Sequence, residues 1–154
     1  MSASDLIAKQ MQLAFDDEPW YGPSLNFLLD DIPKRRIHER PIPGGHSIAE
    51  LMAHMAHWKE VVLRRLDGDP VTDANASDWP ALDPKVATYT VLRKRVDVAY
   101  VRLIERVAEF SDADLEVQVA GNRLTRLELL HGVLQHDVYH TGQLALVLRA
   151  LQAR

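Results

Sequence analysis

His136 and His140 lie one helical turn apart in the run His131-Gly132-Val133-Leu134-Gln135-His136-Asp137-Val138-Tyr139-His140-Thr141-Gly142-Gln143-Leu144. The run belongs to a proline-free stretch, Thr125 to Arg154, that reads as one helix. At about 100° per residue the two imidazoles stand roughly 40° apart around the axis and can converge on one ion. His131 points roughly 140° away from His136 and cannot join them, whereas Gln143 returns to the face of the pair. An i, i+4 histidine pair is a common helical metal-binding unit. Spacing alone does not separate such a unit from an incidental pair.

A third imidazole is available from an earlier helix. Ser47 caps it, with Glu50 as capping-box partner, and the helix should run to about Asp67 before Gly68-Asp69-Pro70 stops it. Ile48, Leu51, Met55, Trp58, Val62 and Leu66 form its apolar stripe. His54 lies about 80° from the stripe centre and His57 about 140° from it. His54 therefore sits at the core margin and His57 nearer solvent, which favours His54 as the ligand. Three neutral imidazoles on one divalent ion leave positions for water or substrate, as in catalytic rather than structural zinc sites. Such an ion lowers the pKa of a bound water or thiol and polarises an oxygen. Imidazole suits zinc and nickel, and no carboxylate-rich cage is visible.

Composition narrows the alternatives. The 154 residues predict one domain, 1–154, able to bury a substantial core. The formal net charge is −4 and no basic tract is present, which opposes a nucleic-acid partner. Lys34-Arg35-Arg36 with Arg40 is the nearest approach to a basic patch, and it sits among acids and prolines. With no cysteine there is neither a disulfide nor a protein thiol nucleophile. No apolar run reaches the length of a membrane span, and the N-terminus lacks a basic segment before an apolar one. A cytoplasmic location is expected.

The remaining elements must position the histidines. Ser4-Asp5 resembles a cap for a first helix through Leu6, Ile7, Met11 and Phe15; Pro19 and Gly22-Pro23 interrupt it, and Ser24 restarts it toward Ile32. Trp20 in the interruption is expected to pack on the end of the bundle. Pro84 suits the first position of a third helix with apolar residues from Val86 to Phe110. Ser111 to Glu116 resembles a short capped turn, and Gly121-Asn122 a tight turn. Thr125 with Glu128 is a capping box opening the last helix. No alternating pattern sustains a sheet. The expected fold is all-α, a four-helix bundle whose long connections, roughly 33–46 and 68–82, allow crossovers and let sequence neighbours run parallel.

Ser47-Ile48-Ala49-Glu50-Leu51-Met52-Ala53-His54-Met55-Ala56-His57-Trp58, taken with His136-Asp137-Val138-Tyr139-His140-Thr141-Gly142-Gln143, resembles the DinB superfamily, whose members are also called YfiT-like. Trp20-Tyr21-Gly22-Pro23-Ser24-Leu25 adds to the likeness, which spans nearly the whole chain; the H-x3-H-x-G-Q piece is its most specific part. The resemblance implies a four-helix bundle with a divalent metal on three histidines, which by motif fall on His54, His136 and His140. It also implies activities. Characterised relatives include thiol S-transferases using bacillithiol or mycothiol and mycothiol-dependent maleylpyruvate isomerases, and many others carry only a metal-dependent hydrolase label. Relatives are often dimers, and a homodimer is expected here, with Leu130, Val133, Val138, Leu144, Leu146 and Leu151 supplying apolar surface.

No acid stands out as a general base. Glu50 is one turn before His54 but suits the capping box; Asp137 points away from the histidine face, toward a bundle or dimer contact. Gln143 could bond a metal-bound water or serve structure, and Gly142 most simply lets a neighbouring helix approach. His38, His46 and His131 read as structural or surface histidines. Two functional classes follow: a metal-dependent hydrolase or thiol S-transferase acting on a small molecule, or a non-catalytic dimeric bundle with a structural metal or a small-molecule-binding role.

Overall fold

Short-range capping fixes where the helices begin in the computed structural model, which describes residues 1–153. Helix α1 (Ala3–Asp16) starts at Ser2, not Ser4: the Ser2 hydroxyl accepts from the Asp5 amide and the Asp5 carboxylate accepts from the Ser2 amide. Ser24 caps α2 (Leu25–Asp30). The expected boxes Ser47/Glu50 and Thr125/Glu128 open α3 (Ile48–Leu66) and α6 (Arg126–Gln152), and Ser111/Asp114 opens the one-turn α5 (Asp112–Leu115). Each box satisfies two amides that the first helical turn leaves without partners.

Helix α4 (Tyr89–Ala108) begins one turn later than Pro84 would suggest. The Asp83 carbonyl accepts from the Val86 and Ala87 amides and its carboxylate from the Lys85 amide, so Pro84 lies in a closed turn. Thr88 then caps the helix, and Val86 is left exposed.

Among the described residues all regular structure is helical apart from an isolated bridge between Gln118 and Thr125, which frames the turn at Gly121-Asn122. Gly121 adopts φ +67° there, and an added Cβ would lie 2.4 Å from Pro70 Cβ, so glycine is required twice over. The four long helices pack in the cyclic order α1–α4–α3–α6. Apolar residues of all four form two layers, one around Met55, Val96 and Leu144, the other around Val62, Leu103 and Leu130.

Pairings give the directions. Glu60 meets Arg95 and Asp67 meets Arg106, so α3 and α4 run parallel, joined by the crossover of residues 67–88. His54 meets His140 while Lys59 meets Asp137, so α3 and α6 are antiparallel. Phe15 stacks on Tyr100 at 4.5 Å, whereas Ile7 and Met11 join Leu103 and Val107, so α1 opposes α4. Only one pair of sequential long helices is therefore parallel.

Trp20 departs from expectation. It is fully exposed, because the turn closed by the Gly22 amide on the Pro19 carbonyl carries the indole away from the helices. No helix among the described residues is long and apolar enough to cross a membrane.

Candidate metal centre

The antiparallel contact of α3 with α6 inserts His54 between His136 and His140. His54 Nε2 lies 2.9 Å from His136 Nε2 and 3.0 Å from His140 Nε2, and the three form a group with one ligating nitrogen apiece, all within 4.8 Å of one another. His54 and His140 are buried and His136 is half-buried. His57 and His131 lie outside the group: His57 donates from Nε2 to the Ala74 carbonyl at 2.9 Å, and His131 is exposed.

The far sides of two rings are held by acceptors. His54 Nδ1 donates to the Asp78 carbonyl at 2.9 Å, with an Asp78 carboxylate oxygen at 3.0 Å. His140 Nδ1 donates to Gln143 Oε1 at 2.7 Å. A neutral imidazole carries one N–H, so both Nδ1 donors leave their Nε2 atoms as bare lone pairs. Two lone pairs 3.0 Å apart repel. A cation between them removes that repulsion, and orienting the ring through its other nitrogen is how metal-ligating histidines are held. The donor set thus fits a divalent ion.

Electrostatics keep the imidazoles in the ligating form. Burial pushes His136 down to about 3, helped by the Lys59 cation and then by the other two rings. Burial pushes His140 down to about 4 against the opposing pull of Gln143. His54 is also lowered, first by burial, with the Asp78 carbonyl and carboxylate opposing. Neutral imidazole is the species that binds metal.

Three features escape the sequence reading. Asp78 and Trp79, in the crossover, form a lid over His54. The Trp79 indole is stacked between His46 at 3.5 Å and His54 at 3.9 Å. Trp58 Nε1 donates to Asp78 Oδ1 at 2.7 Å, so one aspartate ties an indole and an imidazole of α3. Lys59 has no exposed surface and pairs with Asp137, 4% exposed, one step along the same helix contact. Its ammonium lies 4.2 Å from the Tyr100 ring centroid. Burial drives the Lys59 pKa well below the usual lysine range, and the Asp137 carboxylate supplies the counter-charge. Asp137 is thus a bundle contact.

Glu50 is spent on its cap and on Arg40 and does not reach the histidines. Gly142 is exposed and an added Cβ would meet nothing within 4 Å, so no neighbouring helix among the described residues requires it. His38 Nε2 bonds the Ala87 carbonyl at 2.9 Å.

Neither curated proteins nor solved structures gave a match to this chain. The family model of the DinB superfamily matches residues 23–144, most of the chain and all three histidines, and the protein belongs to that superfamily.

Proposed function

We propose that this DinB-superfamily protein is a metal-dependent enzyme in which His54, His136 and His140 hold one divalent ion, zinc or nickel, within a single domain of residues 1–154. The observation that carries this reading is the convergence of three buried or half-buried Nε2 atoms whose far nitrogens, in two cases, are already fixed by acceptors. The bound ion would supply Lewis acidity toward water or a low-molecular-weight thiol, the chemistry of a hydrolase or a thiol S-transferase. The chain's own groups perform the preparation. Asp78 and Gln143 fix two imidazole orientations, Trp79 covers His54, and burial holds all three rings neutral at pH 7.

A metal bound purely for structure is the competing reading. His136, its side chain 25% exposed beside an open cleft, favours a working site over a closed one. The test has two stages. Protein purified without a histidine tag and stripped with chelator is titrated with zinc and with nickel, alongside His54→Ala, His57→Ala, His131→Ala, His136→Ala and His140→Ala. Binding should be one ion per chain and should collapse in the 54, 136 and 140 variants only. Loaded protein is then assayed for hydrolysis and for transfer with low-molecular-weight thiols. Stoichiometric binding that survives all three ligand substitutions would sink the site.

We also propose a homodimer. Of the apolar residues of α6, Leu130, Val133, Leu144 and Leu151 are consumed by the core. Val138 is half-buried, and Tyr139 and Leu146, 63% and 60% exposed and seven residues apart on one face, have the most surface to offer a partner.

A further inference from the structure

Beside the histidines, α3 and α6 leave a cleft of about 210 Å³. Trp58, Val62 and Arg65 line it from α3 at i, i+4 and i+7; Leu129, Val133 and His136 line it from α6 at matching spacing. Because the helices are antiparallel, His136 and Trp58 share one end and Arg65 and Leu129 the other. Seven residues of helix separate the ends, roughly 10 Å. The walls are mostly apolar, and a cleft of this volume has room for a single ring.

Arg65 is the anomaly. Its Nε is buried without a hydrogen-bond partner. No carboxylate among the described residues lies within ion-pair distance of it, while the adjacent Arg64 is paired with Asp69. A guanidinium half-buried in an apolar cleft with an unmet donor is matched by a planar anion, since carboxylate meets its N–H fork with two bonds.

We propose that this cleft is a substrate subsite for a small carboxylate with an apolar, ring-sized body, its carboxylate on Arg65 and its other end against His136. The assignment of a reacting end rests on the metal-centre reading above; the binding itself does not. Gly132, at the cleft wall on α6, gives a clean block. An added Cβ there meets nothing within 4 Å, and its helical position suits other residues better than glycine.

The experiment titrates 4-phenylbutyrate and its neutral amide into wild type, Arg65→Met, Arg65→Lys and Gly132→Leu. Calorimetry and tryptophan fluorescence report binding, with and without zinc, and zinc affinity and melting temperature are measured for each variant. The acid should bind wild type about tenfold or more tighter than Arg65→Met, with Arg65→Lys between them. The amide should not distinguish wild type from Arg65→Met. Gly132→Leu should lose the acid while keeping its melting temperature and zinc affinity. Failure of the acid to bind wild type, equal binding to Arg65→Met, or unchanged binding to Gly132→Leu would each overturn the subsite. Acid binding without any zinc binding would instead remove the metal reading and leave the subsite standing.

Discussion

Replacing Lys59 by methionine keeps most of the aliphatic stem and removes the ammonium, which strands the Asp137 carboxylate in a site only 4% exposed. Breaking a buried pair from one side costs about 3–5 kcal/mol. The carboxyl can escape part of that penalty by taking a proton. From an ordinary pKa near 3.9, protonation at pH 7 costs about 4 kcal/mol, which caps the loss and shrinks it by about 1.4 kcal/mol for each pH unit lowered. The sign is fixed: in the variant the native state holds a proton that the unfolded state releases above pH ~3.9, so destabilisation grows as pH rises. For a chain of this length a loss of that size lowers Tm by roughly 10 °C at pH 7. Lys59→Met/Asp137→Leu leaves no unpaired charge and should recover most of it. Urea unfolding of metal-free protein at pH 7 and pH 5 measures all three quantities. A Lys59→Met deficit that is the same at both pH values, or a double variant no more stable than Lys59→Met, would refute the stranded-charge account.

Met55 has no exposed surface, so Met55→Asp should cost several kcal/mol and prevent stable folding, checked by circular dichroism and thermal melting. His136 and His140, lowered to about 3 and about 4, titrate below their unfolded value of about 6.5. Metal-free protein should therefore keep full stability above pH ~6.5 and lose it on acidification toward pH ~4, by a few kcal/mol at most once partial solvation is allowed for. A flat urea midpoint across that range would contradict the buried neutral rings. Zinc affinity of the folded protein should fall at pH below ~6.5, most steeply as His140 and His136 take their protons near about pH 4 and about pH 3, since protonated imidazole does not ligate. If the Tyr139–Leu146 face of α6 makes the proposed dimer, sedimentation at tens of micromolar should give twice the 17.4 kDa chain mass, and Leu146→Lys should give the monomer.

Local rules were the legible part of this fold. A capping box depends on four residues, so Ser47/Glu50 and Thr125/Glu128 could be read directly, and α3 and α6 start where they predict. The facing of His54 against His57 was legible because helical phase is set by position alone. Lys59 carried a readable signal too. Its phase is about 60° from the stripe centre, nearer than His54, but lysine's usual place in solvent masks it. Asp78 and Trp79 lie in an aperiodic crossover, and nothing local says that they return to α3. Trp20 shows the converse: an aromatic's affinity for burial does not decide its site when a proline-bounded turn carries it outward.

What joins the legible and the illegible parts is the register of α3 against α6. One antiparallel alignment places His54 between His136 and His140 and, at the same time, sets Lys59 against Asp137. Sliding one helix by a turn, about 5.4 Å, would separate both sets together. The apolar stripes oppose such a slip only weakly, since leucine, valine and methionine tolerate exchange of neighbours. An unpaired buried charge opposes it strongly, so the ion pair contributes more to alignment than to net stability. The double variant tells these roles apart: a bundle that keeps its melting temperature but binds zinc more weakly or with mixed affinities has kept its core and lost its register. Undiminished, homogeneous zinc binding in the double variant would assign the alignment to the apolar packing and the loop at Asp78 instead.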